Sequence, residues 1–218
     1  MNDPDTGKQS LVISYLTLRK MIGLLGFSLP VILLSGSVIF GGYKEVQGSI
    51  SSYYYTNMRD VFVGIICSVA LFLFSYRGYT IDNIVGNLGC LFALGVVFFP
   101  CKPDNPPDDY RAITGFLHLV SAALFFGVLI IFSLVLFVKT KEGRPLSREK
   151  KQRNRIFRIC GYTMLGAIIT IALYIFVFVR YLPELEKLHP VFWLESVALF
   201  AFGISWLTKG QFILRDIE

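Results

Sequence analysis

Three ionisable side chains fall in or beside long apolar runs of this chain: Asp60, His118 and Glu195. A charge or an imidazole in hydrocarbon is costly, so each calls for a partner, a water-filled cavity or a function. Asp60 opens one apolar run, His118 lies about 10 Å along a helix from Arg111, and Glu195 sits about one turn into the last run. Residues 49–60, SISSYYYTNMRD, add Tyr53, Tyr54, Tyr55 and Arg59 directly before Asp60. Two kinds of chemistry fit these types. Arg59 or Arg111 can hold an anionic headgroup while the tyrosines contact its polar and apolar border. Alternatively, His118 serves as general base or ligand with Asp60 or Glu195 orienting it, as in a hydrolase. No catalytic residue is fixed by spacing; His118, Asp60 and Glu195 are the candidates.

Each residue also has a structural account. Asp60 can start its own helix, since Asn57-x-x-Asp60 has the position of a capping arrangement. Arg59 can pair with Asp60 or reach headgroups, and His118 can be a satisfied core histidine. Glu195 can pair with Arg59, Arg111 or Arg180, and the tyrosines can form an interfacial belt. Other chemistries find less support. The chain has two histidines, His118 and His189, no CxxC among its four cysteines, no C-x-x-C-H and no G-x-S-x-G. Neither a metal site nor a cofactor is expected, nor a disulfide framework.

The elements that must position these residues are membrane helices. With 54% hydrophobic and 17% charged residues, the chain carries more apolar surface than one soluble core buries. Six segments approach the roughly 17–25 residues a crossing helix needs: 21–40, 60–76, 84–100, 113–138, 159–179 and 191–207. The fold expected is therefore all-α, a polytopic bundle of six transmembrane helices. Residues 1–20 are a polar tail and interfacial segment, 21–210 the membrane domain and 211–218 a C-terminal tail. With the N-terminus inside, fifteen of the 21 Lys and Arg residues fall on the inner side, which places both termini in the cytoplasm. Trp193 and Trp206 bracket the last span as an aromatic belt would.

Small and polar residues form stripes on three spans: Asp60, Gly64, Cys67, Ser68 and Ser75; Asn83, Gly86, Asn87, Cys90 and Ala93; Arg111, Thr114, Gly115, His118, Ser121 and Ala122. The first and third are expected to pack together or line a cleft, and the second to look into the bundle. The basic loop at 139–158 reads as a positive-inside anchor, or as a contact for anionic lipid. Its charge is confined to one loop, which argues against nucleic acid.

The blocks SISSYYYT..MRDVFVG, LFLFSYRGY, GNLG..FALGVVFFP and PVFWLESVALFAFGISWLTKG resemble a family of uncharacterised bacterial six-span integral membrane proteins, over about residues 16–210. That resemblance implies a six-span fold and the bacterial inner membrane, and no activity. The transmembrane hydrolases of the ceramidase and adiponectin-receptor type are not matched, for there is no H-x-x-x-H. The expectation is thus a multi-pass protein of the cell membrane. It would bind a lipid or another amphipathic molecule in an outward-facing polar pocket of Tyr53, Tyr54, Tyr55, Arg59, Asp60, Arg111, His118 and Glu195. The alternatives are a membrane-embedded enzyme acting on such a molecule and a structural membrane protein without a ligand. Membrane lipids are the expected partners, and an oligomer is left open.

Overall fold

The computed structural model describes the backbone of residues 4–41, 46–76, 80–103, 106–108, 110–139 and 147–214, with side chains from Tyr15 onward apart from Thr80. Every regular element among them is helical. Helix α1 spans Pro4–Gly41, α2 Arg59–Phe74, α3 Thr80–Phe98, α4 Ala112–Ile131, α5 Arg148–Phe176 and α6 Pro190–Lys209. Short turns fill the connections: a 3-10 turn at Ser51–Tyr55, a π turn at Phe132–Leu136 that extends α4, and 3-10 turns at Phe178–Arg180 and Pro183–Leu188. The helices pack in chain order, α1 on α2, α2 on α3, α3 on α4 and so on, and α6 closes back on α1.

Five of these segments are long and apolar enough to cross a membrane: Tyr15–Gly41, Ile81–Phe98, Ala112–Leu136, Arg148–Phe176 and Pro190–Lys209. The sixth expected segment, 60–76, forms α2, whose 16 residues rise about 24 Å, short of a hydrocarbon core of about 30 Å. The outward faces carry many large apolar side chains, among them Leu24, Val38, Leu71, Leu91, Phe116 and Ile169, all exposed. A water-soluble protein does not leave a surface of that kind uncovered. The chain is a multi-pass membrane protein.

Two boundaries differ from the expectation. Of the 1–20 segment, residues 4–20 join the first span without a break, for α1 is helical from Pro4 and carries Pro30 inside it. A preceding polar stretch costs a helix little once an apolar length behind it has paid for nucleation. Half of the basic loop is helix as well, since α5 begins at Arg148, where the Ser147 hydroxyl accepts from the Lys150 amide at 3.1 Å. Residues 140–146, Arg77 and the end of the C-terminal tail, 215–218, lie outside the described residues.

The seam between α1 and α6 is a close backbone contact. A Cβ built on Gly203 would stand 2.8 Å from the Gly23 carbonyl oxygen and 2.9 Å from the Phe27 Cα, and one on Gly23 would stand 2.8 Å from the Leu207 amide nitrogen. These obstacles are backbone and cannot rotate away, so the two glycines set the separation of the helices. Nearby, the buried Ser133 and Ser205 hydroxyls bond each other at 2.7 Å and tie the π turn to α6. Gly203→Val is expected to destabilise the protein in detergent by about 1–3 kcal/mol or more through overpacking. Gly166→Ala, on α5 with nothing near its Cβ position, should leave stability equal or slightly raised; thermal unfolding of the two variants checks the contrast.

Candidate functional site

The tyrosine block folds inward as a plug over one end of the helices. Its backbone follows a 3-10 turn, so successive side chains leave in different directions. Tyr53 is fully buried against Phe192, ring centroids 6.0 Å apart, while Tyr54 is half-buried and Tyr55 exposed. The Tyr53 hydroxyl is directed toward Ser37 and the Gln47 backbone without closing a bond of ordinary geometry, and burial raises its pKa above the usual tyrosine value. The Tyr55 hydroxyl donates to the Cys101 carbonyl at 2.6 Å, and desolvation, with Cys101 and Tyr110 nearby, pushes its pKa up to about 12. It is therefore a protonated donor at neutral pH, joining this turn to the α3–α4 connection.

Glu195 braces the same turn. Its Oε2 accepts the Ile50 amide at 2.6 Å, and the Gly48 carbonyl accepts the Phe192 amide at 3.2 Å. The expected arginine partner is not what Glu195 meets; it serves an amide of the non-helical backbone, which an apolar surrounding would leave unpaired. His118 has a parallel task. Its Nδ1 faces the Phe99 carbonyl at 2.7 Å and the Val96 carbonyl at 3.1 Å, on a side chain that is buried. Carbonyls only accept, so Nδ1 carries the proton, and the imidazole pins α4 to the last turn of α3, where carbonyls lack helical partners.

The remaining candidates lie at the surface. Arg59 donates to the Tyr54 hydroxyl at 2.8 Å and stands 4.4 Å over that ring's centroid. It turns to Tyr54, where pairing with Asp60 was one expectation. Asp60 is exposed in the first turn of α2, where a carboxylate suits the helix dipole; the N-cap is Met58, with no side-chain cap bond, so the expected capping arrangement is absent there. Arg111 is the exposed N-cap residue of α4.

The stripes part company. The polar stripe of α2 is partly or fully exposed while Phe62, Ile66, Val69, Ala70 and Leu73 are buried, and the α4 stripe turns toward α3 through His118 and through Ser121 beside Gly95. On α3 Gly86 and Ala93 are buried, but Asn87 is exposed. Among the described residues no three His, Cys, Asp or Glu side chains gather as a metal-ligand set.

Sequence reasoning missed the opposite end of the helices. Trp206, expected at a lipid interface, has no exposed surface; Trp193 is about half exposed, as an interfacial indole would be. Trp206 packs against Tyr76 at 5.3 Å, Phe132 at 5.2 Å and Phe137 at 5.1 Å. Tyr15 stacks on Tyr76 at 5.5 Å, the Arg19 guanidinium lies 4.2 Å from the Tyr15 ring centroid, and the Lys209 ammonium lies 5.0 Å from that of Phe137. The Tyr15 to Arg19 spacing of one helical turn and the spacing of Trp206 to Lys209 were the available signals. Neither says that the two pairs meet.

The geometry thus defines a multi-pass helical membrane protein with a braced plug at one end and an aromatic and cationic cluster at the other. The chain matches no family model, no curated protein and no solved structure. If Glu195 is a brace, Glu195→Ala should cost about 1–3 kcal/mol by stranding the Ile50 amide, with Glu195→Gln milder because its carbonyl still accepts. Hydrogen exchange at residues 48–56 should quicken in the alanine variant; unchanged exchange there would assign Glu195 another role.

Proposed function

We propose that the chain is a six-span protein of the cell membrane, with both termini in the cytoplasm, that binds a lipid through the half of the bundle beneath the tyrosine plug. The observation that carries this is a groove of about 480 Å³ between α1 and α6. It is lined chiefly by Val31, Leu34, Val38, Ile39, Trp193 and Phe200. Two serines also line it, but Ser35 donates to the Val31 carbonyl at 2.7 Å and Ser196 to the Phe192 carbonyl at 2.7 Å, so both hydroxyls are spent on their own helices. What is left is an apolar channel on the face of two membrane-length helices, and a lipid acyl chain is the matching occupant. His118 and Glu195 are engaged in holding the turns, so an anionic headgroup would be met by an exposed cation of that end, Arg59, Lys102, Arg111 or Arg180. The ligand pocket foreseen as polar becomes, in this proposal, an apolar groove.

The test is mass spectrometry of lipid retained after mild detergent extraction. A defined lipid species should accompany the wild-type protein and be largely lost from Val38→Trp, which fills the groove. Leu71→Trp, on an exposed face of α2 outside the groove, should retain it. Equal retention in all three, or no retained lipid in the wild type, would refute the proposal.

A further inference from the structure

The cluster at the end opposite the plug gathers positive charge from three helices. Around the Lys209 ammonium, Arg19 from α1 and Lys150 and Arg153 from α5 are all within electrostatic range, with Asp82 of α3 as the carboxylate facing them. Four cations on three helices converge on one partly buried place. Like charges this close repel strongly where water is scarce.

Part of the cluster is already engaged. Lys150 donates to the Phe137 carbonyl at 3.0 Å, and Asp82, Lys150 and Arg153 have further polar interactions. Two donors are left over. The Arg19 Nε is buried without a hydrogen-bond acceptor among the described residues, while its guanidinium lies on the faces of Tyr15 and Tyr76. Lys209 has three ammonium donors; the ammonium stands over the face of Phe137 and within electrostatic range of Asp82, with no hydrogen bond among the described residues. Aromatic faces orient a cation but accept no strong hydrogen bond, so the terminal amino groups of the partly exposed Arg19 guanidinium and the Lys209 ammonium keep donor capacity that an anion with several oxygens would fill. The rings beneath are rigid: Tyr76, Phe132, Phe137 and Trp206 are at most 2% exposed. Arg19 and Lys209 are therefore held in place before any ligand arrives, which lowers the ordering cost of binding.

We propose that Arg19 and Lys209, supported by Lys150 and Arg153, form a seat for a phosphate group at the cytoplasmic end of the bundle. The chemistry is that of a tetrahedral anion with several acceptor oxygens held by charge-assisted bonds from Arg and Lys. An anionic phospholipid headgroup and a soluble phosphate compound both carry it. This seat differs from a general attraction of the basic 139–158 stretch to the membrane, because its two open donors come from the first and last helices. It is also independent of the groove between α1 and α6.

Trp206 supplies the readout, since its ring packs on Phe137, which carries the Lys209 ammonium. In a Trp193→Phe background Trp206 is the remaining tryptophan, and its emission can be followed in a nonionic detergent and in nanodiscs. Inorganic phosphate, or phosphatidylglycerol added to phosphatidylcholine nanodiscs, is expected to shift the emission and raise the melting temperature, while chloride at equal ionic strength does not. A response to phosphatidylglycerol alone identifies a lipid headgroup as the source; a response to free phosphate identifies a soluble compound. Arg19→Gln and Lys209→Gln should each weaken the response about tenfold, the usual loss for one charge-assisted bond. Lys209→Arg should retain it, and Lys151→Gln with Arg155→Gln, on the exposed face of α5, should change it little. Should Arg19→Gln fail to fold, the Lys209 pair decides alone. No response to either phosphate source, a response equalled by chloride, or one lost with Lys151 and Arg155 but kept in Lys209→Gln would overturn the seat.

Discussion

Gly23 and Gly203 bring the first and last helices into backbone contact, and the rest of the arrangement follows from that seam. A chain of helices packed in order on their neighbours makes an open row unless its ends meet. Here the missing side chains let the carbonyl of one helix approach the other to a distance that a Cβ would forbid. Water supplies no driving force between helices within lipid, so close packing is what holds such a contact. On one side of the glycines the two helices line the apolar groove. On the other they bring Arg19 and Lys209 to the same aromatic floor. Both proposed sites are consequences of one closure.

The polar residues that look most like catalytic groups are spent on a different problem. A membrane protein must pair the backbone of any non-helical segment near hydrocarbon, and two buried ionisable residues of this chain do so at one end of the helices. At the first, Glu195 accepts an amide of the turn that carries the tyrosines. At the second, His118 donates to carbonyls at the end of α3. Buried ionisable groups thus occur where chemistry would put them, for reasons of hydrogen-bond satisfaction. The tyrosines divide in the same way: Tyr53 fills the core, Tyr55 ties two connections together, and Tyr54 keeps Arg59 company at the surface.

The opposite end obeys a different rule. There, large rings take the interior and the cations stand over them, so the charge is neither in lipid nor fully in water. Such a position costs free energy for each ammonium or guanidinium that finds no acceptor, and Arg19 and Lys209 are the two that find rings in its place. A phosphate offers what the rings lack. The plug end is tightly braced, whereas at the basic end Arg19 and Lys209 face rings, and the phosphate seat is proposed there for that reason.

Composition and the length of the apolar runs determined the helical, multi-pass character of this protein, because a residue's preference for hydrocarbon over water acts without knowledge of neighbours. The five spans of sufficient length and the position of Glu195 near the start of the last helix were legible for the same reason. The partners of the polar groups were not. Whether Glu195 meets an arginine or the Ile50 amide, whether Trp206 faces lipid or other rings, and whether the α2 stripe looks inward all depend on the rotation of each helix about its axis. Sequence periodicity gives a helix's faces but not which neighbour each face meets. Only the packing of α6 against α1, set by two glycines 180 positions apart, decided that Arg19 and Lys209 share one place.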